Sequence, residues 1–198
     1  DTSVKRPKAA TYTKKSSLNR PISQGNIRPD AAIWGPEEAW WVSRSRDELG
    51  DRIGLYDIHT YPSKSTVNSG AYTRILQAYR REVPAGRKIV MGEIGFKFVE
   101  AADSAYRDEN LRRARCHPNA SVDDSQMFVY DSMYGTDMAD ALFQTIHAGY
   151  SGCVAWMLDD AMHAKEAPDK LKIWGFWNIF GDEIFGAREE RVRPWYYA

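Results

Sequence analysis

Glu93 follows the apolar run Ile89-Val-Met91 directly and stands between Gly92 and Gly95. A carboxylate at that point is held on a rigid strand, while the flanking glycines leave room for a ligand to come close. Such a group is placed to act as a nucleophile. Two further segments carry comparable chemistry at the ends of apolar runs: Asp57-Ile-His59-Thr-Tyr61 and Trp156-Met-Leu-Asp159-Asp160. They bring an imidazole, a phenol, an indole and three carboxylates. Indole faces suit the apolar C–H faces of sugar rings, although each Trp could equally fill a core. Asp159 and Asp160, with His163, could bind sugar hydroxyls or a divalent cation; neighbouring carboxylates on a loop are more often solvated, so no metal site is assigned. Cys116-His117 lacks companions at zinc-ligand spacing, and no Gly-x-Ser-x-Gly elbow supports a serine hydrolase. No Gly-rich phosphate loop is visible, and no cofactor is implied.

The elements that must position these groups alternate short apolar runs with amphipathic stretches, the signature of βα units and a parallel sheet. Ala31-Ala-Ile-Trp34 reads as a short strand, followed by a helix from Pro36 to Leu49 that stops at Gly50. Trp40 and Trp41 on this helix must face different neighbours. Ile53–Ile58 is the second strand. A polar turn over 62–69 leads into a helix over 69–83, with Tyr72, Ile75, Leu76, Tyr79 and Val83 on one face and Pro84-Ala-Gly86 as its stop. Lys88–Ile94 is the third strand, Lys97–Asp124 a long polar stretch with the look of a functional loop, Ser125–Ala148 a helix, and Gly152–Leu158 the fourth strand. In a parallel barrel, reactive groups project from the C-terminal strand ends and the loops after them. Glu93, His59, Tyr61 and Trp156 all occupy such places.

Composition bounds the function. The 198 residues are 43% hydrophobic and 27% charged, as in an ordinary globular domain. Lys plus Arg balances Asp plus Glu at 27 each, so no overall field draws nucleic acid or an anionic membrane. The apolar runs, such as Cys153–Leu158, fall far below the roughly 20 residues that span a bilayer. Two cysteines make no disulfide framework. Residues 1–29 read as an irregular basic arm, or the remnant of a preceding βα unit; Lys5, Arg6, Lys8, Lys14, Lys15 and Arg20 face one acid, Asp1, at its start. That arm is better read as a solvated segment than as a nucleic-acid contact. No signal peptide opens the chain, and Asp1 in place of Met suggests a processed or trimmed one.

Over residues 30–198 these motifs resemble the clan of retaining glycoside hydrolases on (β/α)8 TIM barrels that includes the family 5 cellulases. In that clan the sixth strand ends in His-x-Tyr, matched by His59-Thr-Tyr61, and the seventh in Gly-Glu-[Ile/Phe]-Gly, matched by Gly92–Gly95. The eighth carries a Trp, matched by Trp156, and the tail Arg193-Pro-Trp-Tyr-Tyr197 is similar to the chain leaving such barrels. The resemblance implies that this α/β chain supplies the C-terminal half of a TIM barrel, a fold that takes about 250 residues when whole. It implies a carbohydrate substrate, no cofactor, and a secreted or periplasmic setting. Glu93 would be the nucleophile of a double displacement, Tyr61 its hydrogen-bond partner, His59 a ligand of a sugar hydroxyl and Trp156 a platform beneath the ring; from their own chemistry, apart from the resemblance, Asp159 and Asp160 are expected to bind substrate. The clan's acid/base, a Glu after Asn, has no counterpart, since no Asn-Glu dipeptide occurs. The other half of the barrel would have to come from a longer chain or a partner. The alternative is a carbohydrate-binding pseudoenzyme that keeps the cleft without the acid/base.

Overall fold

A computed structural model of the chain describes residues 21–27, 40–96, 103–122, 125–160, 162–163, 170–178 and 191–198. Its centre is a parallel sheet of four strands in sequential order: β1 (Pro21–Ile27), β2 (Leu55–Thr60), β3 (Ile89–Ile94) and β4 (Cys153–Ala155). Tyr56, Ile58 and Thr60 of β2 and Ile89, Met91 and Ile94 of β3 are buried, while the residues between them are partly open. One face of the sheet is therefore sealed and the other is available for chemistry, which is what the two-residue period of a strand produces. The sealed face packs with α1 (Trp40–Leu49), α3 (Ala71–Glu82) and α5 (Ser132–His147) through Val42, Tyr72, Leu76, Tyr79, Tyr134 and Met138. Tyr72, Leu76, Tyr79 and Val83 are buried, as their helical spacing predicts, and Ile75 is partly buried against them. After α5 the chain turns at Gly149, whose φ of 91° is a left-handed value that favours glycine at a helix end.

The structure differs from the sequence reading in places with a common cause. Residues 21–27 fall in the stretch expected to be an irregular arm or the remnant of a preceding βα unit, and they form β1; Pro-Ile-Ser-Gln-Gly-Asn-Ile has no alternating pattern, and the strand is defined by backbone pairing with the edge of β2. The strand expected at 31–34 lies outside the described residues, as do the side chains of Trp40 and Trp41. The polar turn over 62–69 contains a short helix, α2 (Lys64–Asn68), started by the Ser63 hydroxyl accepting from the Thr66 amide. The stretch 97–124 is not one long loop, because α4 (Ser104–Cys116) lies within it. Its outer surface is charged, with Glu109 paired to Arg112 and Arg113 at 2.6 and 2.7 Å, so no apolar period marks it as a helix. The helix expected over 125–148 is split into a 3-10 turn, Met127–Tyr130, and α5, because Asn110 holds the Ser125 carbonyl and the Met127 amide from the side.

Beyond β4 the chain forms two small antiparallel pairs: β5 (Met162–His163) with β6 (Leu171–Lys172), and β7 (Trp177–Asn178) with β8 (Arg191–Val192). A last 3-10 turn, Pro194–Tyr197, lays Trp195 onto α5. A Cβ on Gly135 of α5 would stand 2.8 Å from the Trp195 Cα and from the Ala198 Cβ. Gly135→Ala is therefore expected to destabilise the fold by about 1–3 kcal/mol through overpacking, read as a lower denaturation midpoint in urea.

Candidate active site

The C-terminal ends of β2 and β3 bring three of the expected residues together. The Tyr61 hydroxyl donates to Glu93 Oε2 at 2.5 Å, a short charge-assisted bond. His59 Nδ1 lies 3.3 Å from Glu93 Oε1, and its Nε2 lies 3.5 Å from Asp57 Oδ2. Glu93 thus has a partner at each oxygen and retains 22% of its side-chain exposure.

Strand alternation alone would not put Glu93 on this face. Met91 and Ile94 of β3 pair with Ile58 and Thr60 of β2, and with Cys153 and Ala155 of β4, so β3 carries one extra residue against both neighbours. This bulge at Gly92-Glu93 turns the Glu93 side chain toward His59; re-aiming a side chain is what bulges beside reactive sites do. The two glycines have separate reasons. A Cβ on Gly92 would fall 2.2 Å from Asp57 Oδ1, and one on Gly95 would fall 3.1 Å from both the Trp156 carbonyl oxygen and the Trp174 ring and 3.2 Å from the Tyr61 ring. Gly92 makes space for a carboxylate, and Gly95 lets the walls around Tyr61 close.

Trp156 continues the ladder, its amide donating to the Ile94 carbonyl at 2.7 Å, and its side chain is partly exposed at the strand end. The peptide between Trp156 and Met157 is cis. Asp159 is partly exposed, with its main chain packed against Gly175. Asp160, expected to bind substrate, is not brought to Glu93. It is fully buried, and its carboxylate accepts from the Trp174 and Gly175 amides, each at 2.9 Å, and from both terminal nitrogens of Arg193, at 2.9 and 2.5 Å. The two adjacent aspartates part at the bend after β4: Asp159 stays near solvent and Asp160 turns inward. Asp160 supports the site indirectly, because Trp174 meets Tyr61 edge-on with ring centroids 5.4 Å apart.

Sequence reasoning missed Asp57 and Trp174 as parts of this site. Asp57 was detectable in principle, since it lies two residues before His59 and so on the same strand face. Trp174 lies beyond an irregular stretch, and no local pattern ties it to Tyr61.

Burial alone would lower the pKa of His59, but its hydrogen bond to Asp57 and the charges of Glu93 and Asp57 outweigh that, and the imidazole titrates above its ordinary range. Among the described residues no group of three or more His, Cys, Asp or Glu side chains is placed to hold a metal ion, and no helix is long and apolar enough to cross a membrane. A separate groove is lined by Arg112, Arg113, Cys116, His117, Tyr130 and Asp131. Its arginines are tied to Glu109 and Asp131, and His117 Nδ1 accepts from the Asn119 and Ala120 amides, so the groove's polar groups already serve the fold. Compared with protein-family models, curated proteins and solved structures, the chain matches none.

Proposed function

We propose that this chain is the C-terminal half of a (β/α)8-barrel glycoside hydrolase that cleaves a glycoside or polysaccharide with retention, Glu93 being the nucleophile. The observation that carries the reading is Glu93 itself: a carboxylate re-aimed by a bulge at a strand end, held by Tyr61 at 2.5 Å and facing His59 at 3.3 Å. Glu93 Oε1 attacks the anomeric carbon and expels the leaving group; water then cleaves the glycosyl ester with inversion a second time. The acid/base comes from the remaining strands of the barrel, with its carboxyl group about 5–5.5 Å from Glu93. Tyr61 fixes the plane of the nucleophile, His59 faces its other oxygen, and Trp156 and Asp159 line the cleft beyond β4.

A 2-fluoro-glycoside with a dinitrophenolate leaving group tests this. Such a leaving group departs without protonation, so trapping depends on the nucleophile and not on the acid/base. With protein that contains the complete barrel, mass spectrometry of peptide digests should find the adduct on the peptide holding Glu93. An adduct on another carboxylate removes Glu93 from the role. Binding of glycans with neither adduct nor hydrolysis would make the protein a carbohydrate-binding module.

A further inference from the structure

We propose that Asp57 is a positioning residue of this site: seated over Gly92, its carboxylate fixes the His59 ring so that Nδ1 faces the one Glu93 oxygen that Tyr61 does not hold. The role rests on Glu93 being the reacting carboxylate. Three observations converge on it. Asp57, His59 and Glu93 form a continuous line, with contacts of 3.5 and 3.3 Å at opposite ring nitrogens, so the ring has one orientation that meets both acids. Asp57 is mostly buried, with 16% of its side chain exposed, and its Oδ1 has no hydrogen-bond partner among the described residues, an arrangement that costs stability if it serves nothing. Its space exists only because residue 92 lacks a Cβ. A carboxylate accepts and never donates, so Asp57 requires a proton on His59 Nε2, and a second proton on Nδ1 satisfies Glu93 as well. The pairing therefore favours the imidazolium, in the same direction as the raised pKa of His59. Among the described residues, Asp57 on its own strand and Glu93 on β3 are charged groups in contact with His59; on the β1 side its register partner is the uncharged Asn26.

Function follows from which oxygen the proton engages. Oε2 of Glu93 is committed to Tyr61, so Oε1 is the atom left to attack, and a proton on His59 Nδ1 draws on its lone pair. Losing that proton as pH rises frees Oε1. The acidic limb of the rate profile then belongs to His59 and is tuned by Asp57.

The test is the titration of His59 followed by imidazole NMR in the full chain, its signals among the four histidines identified with His59→Gln. The wild-type midpoint should lie above the ordinary histidine value of about 6.5. In Asp57→Asn, which keeps the shape and removes one charge, the midpoint should fall by about one pH unit. Gly92→Ala keeps the charge but displaces the carboxylate, and should lower the midpoint in the same direction. A wild-type midpoint at or below the ordinary value overturns the proposal without any variant, and so does an Asp57→Asn midpoint equal to wild type. In the complete barrel the acidic limb of kcat/KM should move down by the same amount in Asp57→Asn; a limb that stays in place while the NMR midpoint moves would also refute the functional role. A Glu93 adduct with an unmoved His59 midpoint would overturn the role of Asp57 and leave the glycosidase reading standing. A moved midpoint with no adduct would overturn the glycosidase reading and leave the hold of Asp57 on His59 intact.

Discussion

Replacing Glu93 by Gln in a protein that carries the complete barrel is expected to lower turnover of a susceptible glycoside by several powers of ten, because the displacement path itself is removed. The amide keeps the size of the carboxylate and one oxygen to accept from Tyr61, so glycan binding measured by calorimetry should stay near wild type. Glu93→Gly with added azide provides the complementary result. The external anion enters from the face vacated by the side chain and forms a glycosyl azide of inverted configuration. Near-normal turnover by the Gln variant would show that another group attacks.

The largest effect on stability is expected at Asp160. Its carboxylate meets both terminal nitrogens of Arg193, and the two side chains are 0% and 2% exposed. Removing one partner of such a pair leaves the other buried and uncompensated, which costs about 3–5 kcal/mol. Asp160→Ala also strips the acceptor from the Trp174 and Gly175 amides. The variant should unfold at markedly lower urea concentration or fail to accumulate as folded protein. Asp160→Asn keeps an acceptor for those amides and should lose less. Equal stability of the Ala variant and wild type would mean that the Arg193 charge finds another partner. A moderately destabilised variant should also loosen Tyr61, since Trp174 packs against its ring.

How far the fold was legible follows from what each signal encodes. Leu55–Thr60 and Ile89–Ile94 were recognisable because a buried strand needs a short apolar run, and Ala71–Glu82 because Tyr72, Leu76 and Tyr79 repeat at helical spacing. β1 was not, because backbone pairing leaves no trace in Pro21–Ile27, and α4 was not, because its surface carries arginine–glutamate pairs and no apolar stripe. The same division holds at the site. Glu93, His59 and Tyr61 could be read from strand-end positions and from the resemblance. The bulge that brings Glu93 to His59 depends on how three strands register together, and the inward turn of Asp160 depends on an arginine thirty-three residues away. Neither is written in a local window. Gly92 lies between the two cases: its presence beside Glu93 was legible, but the seating of the Asp57 carboxylate over it was not.

The clasp between Asp160 and Arg193 also bears on how the protein is made. A ribosome adds about 5–20 residues per second, so the 33 positions separating the two partners correspond to about 2–7 s of synthesis. Throughout that interval the sheet strands and Glu93 are already synthesised, while Asp160, joined partway by the Trp174 amide, waits for the residue that will neutralise and cover it. A nascent chain held at this stage exposes an unpaired acid and the apolar wall behind Tyr61, the kind of surface that chaperones bind. A residue made well after the strands is thus what seals the support of the candidate site, and translation pauses or truncations before Arg193 should raise the fraction of chains lost to aggregation far more than equal changes in the loops before Asp160.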